Sequence, residues 1–199
     1  MVSSSPPVRG ENARRSSSAR LFTMAPEERS EIVQILESSR QEFNTAAGGL
    51  SESQANVRPE TGRWSVLECV EHVATVEQRF LGWLERAEPK QAPPCDKQKE
   101  ADLAARVVNR TNRAEAPEPV RPAGRFTSLE QALDHFNAAR TRTIQFAQGH
   151  GGDLYRMAVE HPRFGLLNGA EMLVITAGHS SRHAEQIREA RAVVEKPAT

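Results

Sequence analysis

Six histidines are spread over the chain, and two of them, His179 and His183, stand four residues apart in the stretch G-H-S-S-R-H-A-E-Q-I at 178–187. On a helix this spacing puts both side chains on one face with Cβ atoms roughly 5–6 Å apart. Two imidazoles so placed can share one metal ion. The row they occupy runs Ile175, His179, His183, Ile187, so a line that begins and ends apolar has polar rings in its middle. A buried imidazole N–H without a partner costs about 1–3 kcal/mol, and a metal ion would satisfy both rings at once. A third histidine, His72, falls on the margin of another apolar helical stripe, beside Cys69 and Val76. If the two helices are neighbours, three ring nitrogens can converge on a divalent ion at about 2.0–2.1 Å and leave at least one position open. Such an ion is a Lewis acid towards water, a thiolate or a carbonyl, and the residues do not choose among these.

Several other chemistries are excluded. A zinc protease of the H-E-x-x-H type needs a glutamate where this chain has Ser180. A carboxylate-bridged di-iron bundle needs Glu-x-x-His pairs, and no histidine here has a glutamate three residues before it. The two cysteines, Cys69 and Cys95, are too far apart in sequence for a Cys-x-x-Cys site and make no disulfide framework. With 26 basic and 26 acidic residues the formal charge is zero, so no strong field attracts nucleic acid or an anionic membrane. No apolar run approaches the roughly 18 residues of a membrane-spanning helix. Arg14-Arg15 is not followed by the apolar region of an export signal. The expectation is a cytoplasmic protein that handles a small molecule and neither nucleic acid nor membrane.

The elements that must position the histidines follow from apolar periodicity and helix caps. Residues 1–23, rich in Ser, Pro and Arg, cannot bury enough surface to order themselves and read as a disordered tail. Residues 24–195 read as the folded domain. A first helix starts at Pro26 and buries Ile32, Ile35, Leu36, Phe43, Ala46, Ala47 and Leu50, ending at Gly48-Gly49. Ser65-Val-Leu-Glu68 is a capping box for a second helix, which carries His72 and runs to about Ala87. A proline-rich connection from Glu88 to Phe126 follows, with a short helix expected around Leu103, Val107 and Val108. A connection this long can carry the chain back along the second helix and make the second and third parallel. Thr127-Ser-Leu-Glu130 caps the third helix, and Asn168-Gly-Ala-Glu171 caps the fourth, which holds His179 and His183. With no convincing strand pattern, the expected fold is an all-α four-helix bundle.

The motifs taken together, W-S-V-L-E-C-V-E-H at 64–72, a long middle connection, H-P-R-F-G at 161–165 and H-S-S-R-H-A-E-Q-I at 179–187, resemble the DinB-like metal-binding four-helix bundles. The resemblance runs from Met24 to Val193. It implies an up-down-down-up bundle in which His72, His179 and His183 bind nickel, zinc or a similar divalent ion. It further implies frequent homodimers, and relatives that transfer or isomerise with a low-molecular-weight thiol. The resulting expectation is a metal-dependent enzyme of the thiol S-transferase, isomerase or hydrolase type. The alternatives are a non-catalytic metal- or ligand-binding stress-response protein and a fold whose histidines merely fill the core.

Further residues have two readings each. Glu68, one turn before His72, is a helix cap or a partner of the site. His161 lines the mouth of the site or belongs to a turn. Arg182 binds a carboxylate or lies on an exposed face. His135 and His150 read as surface residues, and Cys69 as a small apolar filler rather than a nucleophile.

Overall fold

The computed structural model describes residues 24–88, 91–111 and 115–195. The tail expected at 1–23 lies outside them. The elements in order are α1 (Pro26–Ala47), α2 (Glu52–Asn56), α3 (Val66–Glu85), α4 (Lys97–Val108), a 3-10 turn (Glu118–Val120), α5 (Leu129–Gly149), a second such turn (Leu154–Arg156), strands β1 (Ala158–His161) and β2 (Gly165–Asn168), and α6 (Gly169–Val194).

The helix starts are fixed locally. Ser65 Oγ accepts the Glu68 backbone N–H at 3.2 Å while Ser65 N donates to Glu68 Oε2 at 2.8 Å, which satisfies two of the orphan donors at the start of α3. Asn168 and Glu171 make the same reciprocal pair at the start of α6. The start of α5 differs from expectation by one residue. Ser128, not Thr127, is the cap, and Gln131 rather than Glu130 reaches back to the Thr127 N–H. The chain enters α5 one residue later because Ser128 is the extended residue next to the first helical one.

Four long helices, α1, α3, α5 and α6, form the bundle, and their directions follow from which ends share a core. One apolar cluster joins Phe43, Ala46 and Ala47 at the end of α1 to Val66, Val70 and Val73 at the start of α3. It also contains Leu129, Ala132 and Phe136 at the start of α5 and Ala184, Ile187 and Ala190 near the end of α6. Helices α3 and α5 therefore run parallel, antiparallel to α1 and α6, which is the up-down-down-up order. The second cluster, at the opposite end, gathers Ile32 and Leu36 with Val76, Phe80, Ile144, Met172 and Ile175.

A polar layer lies between the two clusters. Arg140, wholly buried, donates from Nε and Nη2 to the Glu77 carboxylate at 2.7 and 2.9 Å. It also donates to Leu36 O, Ser39 Oγ and Ser180 Oγ at 2.6–2.7 Å. Residues of three helices, α1, α3 and α6, are thus tied to a single guanidinium carried by the fourth, α5, and its fork geometry suits a bidentate carboxylate.

Three expectations are corrected. Ile35, placed on the buried face by periodicity, is 38% exposed, and Val108, one of the apolar residues around which the short helix is expected, is 43% exposed. Ser39, not Ile35, turns inward beside Leu36 because its hydroxyl is taken into the Arg140 network. The third correction is a short antiparallel hairpin, with Val159 opposite Leu167 and His161 opposite Gly165. Its strands are four residues each, too short to announce themselves. Gly165 has φ 73°, a left-handed conformation that glycine adopts without the Cβ clash.

The short helix in the long connection is present as α4, with Leu103 and Val107 buried. It crosses α6 at Gly178, where a Cβ would stand 3.1 Å from Val107 Cγ1. The missing side chain lets α4 settle directly beside the histidine-bearing turn of α6.

Candidate metal centre

His72 comes from α3, and His179 and His183 come from successive turns of α6. Each ring offers one nitrogen, and the three atoms lie within 4.8 Å of one another. The ring centroids are 5.1 Å apart for His72 and His179, 4.8 Å for His72 and His183, and 4.6 Å for His179 and His183. The two α6 rings face α3 because Ile175 and Ile187, four residues before and after them, are both buried and fix that face inward.

The tautomer of His72 is set by its surroundings. Its Nδ1 lies 2.7 Å from the carbonyl oxygen of Val120, which can only accept, so Nδ1 carries the proton. The lone pair is left on Nε2, and that atom sits 3.3 Å from His179 Nε2. Metal-binding histidines are commonly oriented by such a carbonyl. The Val120 carbonyl belongs to the long connection, which Glu71 pins down. Glu71, buried beside His72, accepts the N–H groups of Ala123 and Gly124 at 2.6 and 3.1 Å and Arg125 Nη1 at 2.7 Å.

His183 Nδ1 is buried and has no hydrogen-bond partner among the described residues. Leaving such a nitrogen unsatisfied costs about 1–3 kcal/mol. Three neutral imidazoles converging inside the bundle, one of them orphaned, fit a divalent ion of the kind that favours nitrogen ligands.

All three rings are held neutral. Burial lowers the His72 pKa against the opposing effect of the Val120 hydrogen bond. Burial lowers His179 well below the usual range, reinforced by His183, His72, Arg182 and Arg140. His183 is lowered likewise by burial, then by His72 and Arg182, with Gln186 acting weakly the other way. Neutral imidazole is the form that binds metal.

Aromatic rings close the site. Trp64 lies 4.9 Å from His72 and 6.3 Å from His183, stacked on the latter, and Phe80 lies 6.0 Å from His179. His161 packs on Phe80 at 5.5 Å, with Trp83 and Phe164 around it. It stands beside the three-histidine group and not in it. Its Nδ1 accepts the Arg163 N–H at 3.1 Å, and burial, helped by Arg163, lowers its pKa to about 4.

The remaining candidates sort clearly. Glu68 is fully used as the α3 cap and as a partner of Arg58. Arg182 donates Nη1 to the carbonyls of Val107 and Asn109, closing the end of α4 as basic side chains often do. His135 and His150 are exposed. Cys69 is buried, and burial pushes its thiol pKa up, which removes the thiolate a nucleophile needs. Sequence reading missed Glu71, the Val120 carbonyl and the Glu77–Arg140 pair. The H-x-x-x-H spacing had no counterpart that could mark them.

The model of the DinB superfamily matches residues 35–187, a span that contains every residue of the centre. The chain belongs to this superfamily. It is similar to the uncharacterized protein YuaE of Bacillus subtilis strain 168, 23% identical over 163 residues, covering 81% of this chain and 98% of that protein. Among solved structures it is similar to YfiT from Bacillus subtilis, described as a probable metal-dependent hydrolase with an unusual four-helix bundle topology. There the TM-score is 0.56 at 17% identity, covering 84% of this chain and 88% of YfiT. It is also similar to TT2238, a four-helix bundle protein, with TM-score 0.55 at 21% identity, covering 81% and 98% of the two chains. These likenesses show the bundle fold that the superfamily shares.

Two expected results follow from the centre. Replacing Glu71 with alanine frees the segment that carries the Val120 carbonyl, so His72 loses its orientation and metal affinity should weaken about 10–100-fold. Competition against a chelator measures this, and unchanged affinity would show that the connection does not position His72. The second concerns acid. Because folding lowers the pKa of His72, His161, His179 and His183, below about pH 6.5 the unfolded chain binds protons that the folded chain does not. Stability of the metal-free protein is therefore full above that pH. It falls through the window down to about 4, where the folded His161 itself protonates. Urea midpoints should drop between about pH 7.5 and about pH 5, and less steeply for His161→Asn. Midpoints equal at both pH values would contradict the buried, neutral rings.

Proposed function

We propose that this chain is a metal-dependent hydrolase of a small molecule, with His72, His179 and His183 holding a divalent ion, nickel or zinc. The observation that carries the reading is the convergence of three ring nitrogens within 4.8 Å, with the His72 lone pair directed inward by the Val120 carbonyl. The description of YfiT as a probable metal-dependent hydrolase on a similar bundle supports the choice of reaction. An ion bound by three imidazoles keeps at least one position for another ligand, and supplies Lewis-acid activation of water and of a carbonyl.

The protein's own groups then have definite tasks. His72 presents Nε2 because its Nδ1 proton is committed to Val120. Trp64 and Phe80 cover the rings and keep bulk water from their flanks. His161, neutral at physiological pH, holds its proton on Nε2, since Nδ1 accepts from Arg163. The buried carboxylates of α3 are not free bases, because Glu71 and Glu77 each accept three donors already.

The reading is tested by assaying zinc- and nickel-loaded protein against a panel of small esters, amides and lactones, beside chelated protein. Metal-dependent turnover lost on chelation is expected. Metal-loaded protein that binds panel members and never turns them over would establish a binding protein instead.

A further inference from the structure

We infer that the three-histidine centre receives a small organic anion, with a carboxylate or phosphate group held by Arg106, Arg163 and Arg182. This rests on the metal reading and adds the charge of the ligand. Three neutral imidazoles leave a bound dication with its whole charge, and among the described residues no carboxylate joins them. The surroundings add more positive charge. Arg182 follows His179 by three residues on α6, and residues so spaced are neighbours on a helix surface. Its charged neighbours are Arg110 and Arg163, and among the described residues no carboxylate pairs with it. Only Nη1 is engaged, by the Val107 and Asn109 carbonyls, so other donors of the same guanidinium are available.

Arg106 and Arg163 converge from a different direction. Their guanidinium carbons lie 5.3 and 5.7 Å from the centre of one ring, Phe164. That ring touches His161 at 4.9 Å, and the aromatic contacts continue through Phe80 to His179. Both arginines are exposed, and neither meets a carboxylate among the described residues. Glu189, which pairs with Arg110, a charged neighbour of Arg182, is already shared by Arg63 and Arg110 at 2.7 Å each. Guanidiniums grouped without carboxylate partners repel one another, and an anion with planar or tetrahedral oxygens relieves that repulsion through the bidentate geometry arginine favours.

Cobalt-loaded protein tests this, because the visible spectrum of cobalt reports a ligand entering its coordination sphere. Titration with succinate, methyl phosphate and the neutral succinamide should show at least one anion binding at least ~10-fold more tightly than succinamide, the size of one lost charge-assisted contact. The tighter of the two anions identifies the group. The Arg106→Gln/Arg163→Gln double variant alters only exposed side chains. It should take up cobalt to the same stoichiometry and lose most of that preference. Equal binding of anions and succinamide, or a preference untouched in the double variant, overturns the inference while leaving the metal reading intact. Failure of the wild-type protein to bind cobalt overturns the metal reading, and the inference with it.

Discussion

His179→Ala is expected to lose stoichiometric metal binding. Its ring is one corner of a near-equilateral triangle, with its centroid 5.1 Å from that of His72 and 4.6 Å from that of His183, which are themselves 4.8 Å apart, so its removal leaves two ligands that no longer enclose an ion. Loss of an outer partner alone costs about 10–100-fold in affinity, and loss of a ligand should exceed that. The effect is visible in stability as well as in metal content. A ligand at 100 times its dissociation constant stabilises the folded state by about 2.7 kcal/mol. At about 2–4 °C per kcal/mol for a chain of this size, added zinc should raise the melting temperature of the wild-type protein by roughly 5–10 °C. The same zinc concentration should move the variant hardly at all. His135→Ala, a change at an exposed ring, serves as the control and should respond as wild type does. Equal metal content in His179→Ala and wild-type protein would remove the site.

The second large effect lies in the polar layer. Arg140→Leu leaves the Glu77 carboxylate buried, with Thr143 Oγ1 as its remaining donor, and strips Leu36 O, Ser39 Oγ and Ser180 Oγ of the donor they share. Breaking one side of a buried ion pair costs about 3–5 kcal/mol, most of it from the charge left behind. The melting temperature should therefore fall by roughly 6–20 °C. Removing both charges in Glu77→Leu/Arg140→Leu should cost less than the sum of the single changes, and a double-mutant cycle followed by urea unfolding measures the coupling. An Arg140→Leu protein within about 1 kcal/mol of wild type would show that the network contributes little to stability. Because Ser180 follows His179 directly, the single change should also loosen the metal site, whereas an isolated core cavity would not.

The metal centre and the polar layer differ in how much of each is written locally in the chain. Ser65 with Glu68 and Asn168 with Glu171 are local pairs three residues apart, and their geometry is complete once a helix starts. They mark where α3 and α6 begin, and hence which turn each histidine occupies. The row Ile175, His179, His183, Ile187 is equally local, since helical spacing alone puts the four on one face. By contrast, Ser39, Glu77, Arg140 and Ser180 sit far apart in sequence. Nothing in their neighbours says that one guanidinium gathers them, and apolar periodicity accordingly points Ile35 inward where Ser39 holds that role. The hairpin at 158–168 shows the same limit. Val159 and His161 do alternate inward with Glu160 outward, but one such repeat is too short to separate from a turn, and partner strands supply what the segment lacks.

No helix among the described residues is long and apolar enough to cross a membrane, as the composition suggested. The order of the helices was legible for a related reason. A connection long enough to span α3 permits α3 and α5 to run parallel, and the shared cluster of Val66, Val70, Leu129 and Ala132 is where that order is realised.

By itself, then, the sequence determined the four long helices, the starts of α3 and α6 and the candidate ligands His72, His179 and His183, because caps and periodicity act over a few residues and need no partner. Only the tertiary structure decided that His72 meets the other two, that its proton sits on Nδ1 against Val120, and that His161 stops one ring short of the centre. Those outcomes depend on a backbone carbonyl, a bare approach at Gly178 and a buried charge pair. Each exists only when distant segments are brought together, and none leaves a pattern along the chain.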